Sequence, residues 1–451
     1  MWGKTRKITL PLCMALIIMV LVSCSEETTP YYAPYTLTSN QVEVYSEAPA
    51  QIKIEPQVQV EHSIITQRSL PQTMRPPRPR ETSEKELVEY PTLEVEANVF
   101  FKTESAIRSA ILAENGTVFF GNEDNVFYAV DISTEQILWT FSTDEAVRTL
   151  PVLTDGNVIF NAGNNLYILD ASTGEQVHII IYPSSYDVRM SDDPNAFNDS
   201  HIAVADGVVY FVALNGDLVA VDILSGEIIW TIEMQSRRLV VSGVNYYDGR
   251  LYYILSPGHL FAVDIQTRQV VFETHLVGMP FNPMTIYNGS VYVGGRCRLF
   301  YNIDASTGEV LWRSYSQDSL TWFSGGSVVV GNNVFAATSD EYAIIVFDKG
   351  TGEFQRIYSI LSFGYTPPLR HGNNVVVVST NMRAAFVGPG IAADEMRMPR
   401  TYAMEIDTYN HTKLWAASLD DIALSPPTIY QGVLFFGSDS GTVYSIDLNR
   451  F

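Results

Sequence analysis

Eight aspartates recur through most of the chain, and carboxylates are among the groups that could act as general acids or bases. Each one ends an apolar segment and precedes a turn, which reads Ser-Thr-Gly-Glu at residues 306–309. Catalysis needs one special site rather than eight equivalent ones, whereas an aspartate beside a turn can accept hydrogen bonds from backbone amides. We therefore interpret all eight as structural: Asp131, Asp170, Asp222, Asp264, Asp304, Asp348, Asp407 and Asp447.

Cysteines and histidines are the other candidates for chemistry. The chain has three cysteines, and only Cys297 lies in the region of the repeated aspartates. No two cysteines are adjacent, there is no Cys-x-x-Cys-His motif, and the seven histidines show no spacing typical of a metal site. We predict no cofactor, no bound metal and no disulfide within the repeated region, and we expect a protein that is not an enzyme.

Cys24 lies at the end of a sequence typical of an export signal. Basic residues precede an apolar run at 8–22, which is shorter than the roughly 20 residues of a membrane-spanning helix. The run ends in Leu-Val-Ser-Cys at 21–24, which resembles the lipobox of bacterial lipoproteins. We predict a signal peptide at 1–23 and a lipid on Cys24; an uncleaved membrane anchor is the alternative.

The segment 24–95 has the composition of a flexible tether. It is rich in proline, and arginines alternate with prolines at 75–80, while apolar residues follow neither a helical nor a strand period. Such a segment buries too little apolar surface to offset the loss of chain entropy on folding. We predict a disordered tether whose Arg/Pro cluster is either solvated or binds phosphate head groups or an acidic partner.

From residue 96 to 451 the sequence repeats. The eight aspartates are spaced by about 45 residues on average, which is the length of a four-stranded propeller blade. Apolar β-rich segments and Asp-Gly or Asn-Gly turns alternate within each repeat. Four repeats carry a tryptophan eight residues after the aspartate, where a large ring can fill the space between blades: Trp139, Trp230, Trp312 and Trp415. The pattern predicts an all-β fold, an eight-bladed β-propeller.

The two ends of the repeated region complement each other. The last repeat stops shortly after Asp447 and lacks its fourth strand. A shift of 40 residues aligns Val99 with Trp139 and Arg108 with Arg148, so the region begins with a fourth strand. We predict that this N-terminal strand completes blade 8 and closes the ring, which removes two exposed strand edges.

The units with Asp-x-x-Thr-Gly-Glu-x-x-Trp, such as 304–312, resemble the repeats of pyrroloquinoline-quinone-like propellers. Together with the lipobox they resemble the BamB family of outer-membrane assembly lipoproteins. This resemblance implies a propeller scaffold at the periplasmic side of the outer membrane. Quinoprotein dehydrogenases share the blade and hold their quinone against a vicinal Cys-Cys disulfide, which this chain lacks.

Charge and insertions indicate the kind of partner. The formal net charge of −22 disfavours nucleic acid and anionic lipid as direct ligands, so the lipid would be the only membrane contact. Two insertions, at 182–200 and 379–400, interrupt the repeat and should emerge on one face. The second carries apolar residues that either bind a partner or fold onto themselves: Met382, Phe386, Met396 and Met398. Arg108 and Arg148 should lie on the same face, as salt bridges or as partner contacts.

We therefore expect a scaffold for envelope proteins, monomeric within a larger complex, possibly that of outer-membrane protein assembly. Two other classes stay open, a quinone-dependent dehydrogenase-like enzyme and a surface-exposed adhesin or sensor. The missing Cys-Cys pair argues against the first, and protease accessibility on intact cells would identify the second.

Overall fold

The computed structural model describes residues 44–45, 93–163, 165–182, 201–213, 216–233, 242–278, 280, 283–316, 321–381 and 401–451. Within these residues the regular structure is β, apart from one 3₁₀ turn at Leu448–Arg450. No helix of the described part is long and apolar enough to cross a bilayer. The predicted signal peptide, Cys24, and the apolar residues of the second insertion lie outside the described residues.

The described residues form thirty-four strands. Three N-terminal strands are β1 (Val44–Tyr45), β2 (Leu93–Glu94) and β3 (Asn98–Lys102). Blades 1 to 4 then contain β4 (Leu112–Glu114), β5 (Thr117–Gly121), β6 (Val126–Asp131), β7 (Ile137–Ser142), β8 (Val152–Thr154), β9 (Asn157–Ala162), β10 (Asn165–Asp170), β11 (Gln176–Ile181), β12 (Ala203–Ala205), β13 (Val208–Val212), β14 (Leu218–Asp222), β15 (Ile228–Ile232), β16 (Asn245–Tyr247), β17 (Arg250–Leu255), β18 (His259–Asp264) and β19 (Val270–His275).

Blades 5 to 8 contain β20 (Thr285–Tyr287), β21 (Ser290–Gly294), β22 (Leu299–Asp304), β23 (Val310–Tyr315), β24 (Ser327–Val330), β25 (Asn333–Ala337), β26 (Ala343–Asp348), β27 (Phe354–Ser359), β28 (Leu369–His371), β29 (Asn374–Thr380), β30 (Thr401–Asp407), β31 (Thr412–Leu419), β32 (Thr428–Tyr430), β33 (Val433–Gly437) and β34 (Thr442–Asp447). Blades 1 to 7 each pair four consecutive antiparallel strands, here called a, b, c and d. The predicted all-β, eight-bladed propeller is confirmed.

The ring closes as the two ends of the sequence predict. β3 takes the d position of blade 8 and pairs antiparallel with β34, with Val99 opposite Tyr444. Phe100 is buried and packs edge-on against Phe435, with ring centroids 5.2 Å apart. The first strand of blade 8, β32, also contacts the first strand of blade 1, β4. Closure by an N-terminal strand is therefore confirmed.

The hydrophobic core is divided among the blade interfaces. Eight buried clusters are found in the described residues, and each joins the facing sides of two neighbouring blades. The b and c strands are covered on both sides, which explains their continuous apolar runs. The d strands are covered less, so that Val270–His275 alternates between half-buried and exposed residues.

Two features go beyond the sequence expectations. Within the predicted tether, β1 pairs antiparallel with β15 and β2 pairs parallel with β31. Cys297 is disulfide-bonded, although the repeated region holds no second cysteine. The prediction of no disulfide applied to pairs of cysteines within the repeated region. It did not cover a bond from Cys297 to a cysteine outside that region.

Candidate protein-interaction face

One face of the ring carries both insertions, and we call it the insertion face. It contains the connections from strand d of one blade to strand a of the next, and those from b to c. The first insertion joins β11 to β12, and the second joins β29 to β30, so their described ends lie on this face. Strand β29 continues through Thr380, which moves the start of the second insertion from Ser379 to 381.

Arg108 and Arg148 lie on the insertion face and join adjacent blades through ion pairs. The Arg108 guanidinium donates to both carboxylate oxygens of Asp439, each at 3.0 Å, and this hydrogen bonding raises the pKa of Arg108. Arg148 makes the same two-pronged contact with Glu123, with its Nε 2.8 Å from Oε1. Of the two roles left open by the sequence, the structure shows the salt bridges.

A second group on this face was not predicted. The Arg296 guanidinium lies 4.3 Å above the Trp322 ring, and Trp322 is edge-on to Tyr365 at 6.4 Å. Phe363 stacks on Tyr365 at 5.5 Å and meets Tyr342 edge-on at 4.8 Å. We call these five residues the aromatic patch; they come from the b–c and d–a connections of blades 5, 6 and 7.

Partial removal from water gives the aromatic patch its chemical character. Desolvation lowers the pKa of Arg296, and it raises the pKa of Tyr365 to about 12. The indole Nε1 of Trp322 is enclosed and has no hydrogen-bond partner in the described structure. Arginine, tryptophan and tyrosine are the residue types that are enriched at protein-binding hot spots.

One residue of the aromatic patch, Tyr365, occupies a position that can be recognised in the sequence repeat. The amides of Ile107, Val147 and Gly364 each donate to the carbonyl that follows strand b of the preceding blade. Tyr365 therefore takes the position in blade 7 that Arg108 and Arg148 hold in blades 1 and 2. An alignment of all d–a connections would have shown an aromatic residue in place of an arginine there.

The repeated aspartates lie at the opposite face, seven of them in c–d turns and Asp447 at the end of strand c of blade 8, before the 3₁₀ turn. Asp131 Oδ1 accepts from the amides and hydroxyls of Ser133 and Thr134, at 2.7 to 3.0 Å, and these bonds lower the pKa of Asp131. Related bonds from the turn amides reach the other seven: Asp170, Asp222, Asp264, Asp304, Asp348, Asp407 and Asp447.

The four tryptophans lie at blade interfaces, but with different partners. Trp139 and Trp312 donate their indole N–H to carbonyls of the next blade, those of Ala171 and Lys349. Trp230 packs against Tyr210, with ring centroids 5.7 Å apart. Trp415 instead donates to Glu405 at 2.8 Å. All four are buried.

The eight four-stranded blades and the turns specified by aspartate define a class, the pyrroloquinoline-quinone-like repeat propellers. The partly desolvated aromatic patch is a feature of this chain. The chain belongs to the family whose model is described as "Outer membrane protein assembly factor BamB", which matches residues 101–239 and 215–450. The protein of that name from Yersinia pestis is 30% identical over 132 residues, which are 28% of this chain and 33% of the relative. The match thus spans about a third of that relative's length.

Solved structures share the fold. The computationally designed protein Ika8 has a TM-score of 0.59 at 17% identity, covering 78% of this chain and 98% of its own. BamB from Moraxella catarrhalis has a TM-score of 0.50 at 15% identity, over 76% of this chain and 83% of its own. A europium-containing methanol dehydrogenase has a TM-score of 0.50 at 13% identity, over 60% of this chain and 73% of its own. At these identities the likeness shows the fold alone.

The residues of this chain do not fit a quinone and metal site of the dehydrogenase type. No two of its cysteines are adjacent in the sequence, so the vicinal disulfide of that site cannot form. Among the described residues, no group of three or more His, Cys, Asp or Glu side chains is arranged to hold a metal ion. No reaction step is therefore derived for this propeller.

Proposed function

We propose that the protein is a lipid-anchored, non-enzymatic scaffold at the periplasmic side of the outer membrane. Its partners would be proteins of the outer-membrane assembly machinery, bound by a single copy of the chain within the complex. Membership of the assembly-factor family supports this pathway. The observation that carries the binding role is the aromatic patch, because Arg296 above Trp322, with tyrosines beside them, brings together the three residue types that are enriched at protein-binding hot spots.

The insertion face supports binding better than the opposite face. Its ion pairs at Arg108 and Arg148 join the connections of blades 8, 1 and 2, which gives a partner a rigid surface on the same face as the aromatic patch. On the opposite face, the turn carboxylates are occupied by hydrogen bonds within their own turns. We further propose that Met382, Phe386, Met396 and Met398 extend the apolar surface on the insertion face.

The aromatic patch is tested by Trp322→Ala combined with Tyr365→Ala. Recovery of assembly-machinery proteins from crosslinked envelopes should fall by about tenfold or more, because truncated hot-spot residues typically weaken binding by that amount. Tyr409→Ala is the matched control, since Tyr409 is 86% exposed in a c–d turn of the opposite face. Full recovery with the folded double variant would refute the role of the aromatic patch.

The second insertion is tested by replacing residues 381–400 with Asn-Gly. Thr380 and Thr401 are directly paired, so a two-residue hairpin can join β29 to β30 without disturbing their buried hydroxyl contact at 2.9 Å. The melting temperature should be retained while partner recovery falls. Undiminished recovery would show that the second insertion does not contact the partner.

The enzyme hypothesis makes a different prediction for the same purified protein. A quinone-dependent dehydrogenase would reduce an electron-accepting dye when given pyrroloquinoline quinone, calcium, and an alcohol or sugar. We expect no dye reduction above the level without protein. Turnover that depends on all three additions would overturn the proposed scaffold function.

A further inference from the structure

The outer rim of the ring consists of d strands whose outer backbone groups can accept another strand. In the described residues, the d strands of two blades pair with such an additional strand. β1 pairs with β15 of blade 3, and β2 pairs with β31 of blade 7. β2 lies only a few residues before the closing strand β3, whereas 47 residues separate β1 from β2. The β1 pairing is therefore not imposed by ring closure.

Blades 1 and 3 allow a direct comparison of a bare and a covered rim. Their d strands have nearly the same sequence, Ile-Leu-Trp-Thr-Phe at 137–141 and Ile-Ile-Trp-Thr-Ile at 228–232. Thr140 is exposed, but Thr231 at the equivalent position is only 8% exposed, and Ile232 is fully buried. Tyr45 pairs with Thr231 and Val44 pairs with Ile232. Tyr182 of blade 2 also contacts Thr231.

The geometry points to Val44–Tyr45 as a docking strand that attaches the N-terminal segment to the rim of blade 3. The occupant of this rim is thus a segment of the same chain. Strand addition uses backbone hydrogen bonds, and two paired residues bind weakly by themselves. Covalent linkage to the ring raises the local concentration of the docking strand, which favours the paired state.

Docking shortens the connection between ring and membrane, a consequence that rests on the proposed lipid at Cys24. About 20 residues separate Cys24 from Val44, and they reach at most about 65 Å when fully extended. About 69 residues separate Cys24 from Leu93, with a reach of about 230 Å. The effective concentration of a tethered domain falls with roughly the −3/2 power of linker length. Shortening the tether from about 69 to about 20 residues therefore raises the effective concentration of the ring at a membrane-bound partner about sixfold.

Crosslinking tests the docking in the full-length protein with Cys297→Ala. Tyr45→Cys with Thr231→Cys places two cysteines at directly paired positions, where the separation of Cα atoms in a sheet suits a disulfide. Under mild oxidation we expect most molecules to form this crosslink, measured by mass spectrometry of peptides. Tyr45→Cys with Thr140→Cys is the matched control, and its yield of crosslinked peptide should be at least tenfold lower. Equal yields, or none at Thr231, would refute the docking strand.

Hydrogen exchange provides a test without new cysteines. Val44→Pro removes a backbone donor and should speed exchange of the β15 amides about tenfold or more, while Val58→Pro should leave it unchanged. Unchanged exchange in Val44→Pro would also overturn the proposal. Both measurements use purified protein, so they succeed or fail independently of the lipid and of the assembly partner. In envelopes, Val44→Pro should lower the recovery of assembly-machinery proteins by up to sixfold. If the wild-type protein itself recovers none of these proteins, the result counts against the proposed function and not against the docking strand.

Discussion

At the scale of single residues, the glycine in the c–d turn has two tasks. Gly174 has a φ of +72°, which is unfavourable for any residue with a Cβ. A Cβ added there would lie 2.5 Å from the ring of Trp139 in the preceding blade. Three other turn glycines meet a ring of the preceding blade in the same way: Gly226 on His178, Gly308 on Phe272 and Gly352 on Trp312. The turn and the blade interface thus need the same glycine.

Two substitutions separate these tasks. Gly156→Ala changes a residue with a φ of +77° and no atom within 4 Å of the added Cβ, so it should destabilise by about 1–2 kcal/mol from backbone strain alone. Gly174→Ala adds displacement of Trp139, and the total should reach about 3 kcal/mol or more. Equilibrium urea unfolding of both variants measures the difference. Equal losses would show that the Trp139 ring moves aside without penalty.

The aspartate turns were predictable because every contact is local, within three residues of Asp131 in its own turn. The surroundings of Trp415 were not predictable. Its buried partner Glu405 also accepts from His371 at 2.8 Å and from Asn374 at 2.9 Å, so the group spans all four strands of blade 7. Only the register of those strands brings the four side chains together, and register has no local signature of this kind.

At the scale of elements, the strand that closes the ring was predictable and the two added strands were not. β3 belongs to the repeat, so a shift of 40 residues identified it before its pairing with β34 was known. β1 and β2 have two residues each and pair through backbone groups that every residue except proline can supply. Strands this short show no alternation of polar and apolar residues that could predict them.

Truncations test the closing strand. Deleting residues 25–90 removes β1 but keeps β2 and β3, and the melting temperature should change by less than about 2 °C. Deleting residues 25–103 removes the buried Phe100, whose loss amounts to about 3–5 kcal/mol, so the melting temperature should fall by about 10 °C. Calorimetry of both proteins gives the comparison. Equal melting temperatures would show that β3 does not stabilise the ring.

At the scale of the whole molecule, the number of blades and the face of the insertions followed from counting repeats and strand directions. The aromatic patch did not, because its residues come from three blades between Arg296 and Tyr365 and meet only when the ring is assembled. The conserved spacing of a repeat fixes what the blades have in common. The proposed binding surface arises from the connections that differ, where the repeat pattern marks only a deviating position such as that of Tyr365.

The position of the ring in the cell depends on the predicted lipid at Cys24. Cys24→Ala should release the protein from membranes, because it removes the sulfur that would carry the lipid and the net charge of −22 opposes adhesion to anionic lipid. Partition of the protein between the aqueous and detergent phases measures the release. Cys297→Ala is the matched control, since it removes a cysteine outside the lipobox and should leave membrane retention unchanged.

Within this chain Cys297 can pair only with Cys13 or Cys24, and a disulfide to Cys24 would exclude the lipid there, so a reduction control is necessary. A thioether-linked lipid resists reducing agents, so wild-type protein should stay in the detergent phase after treatment with dithiothreitol. Release on reduction, or release by Cys297→Ala, would show that a disulfide rather than a lipid retains the protein. Cys24→Ala found in the detergent phase at the wild-type level would instead show that the membrane contact lies elsewhere, and the short reach calculated from Cys24 to Val44 would no longer apply.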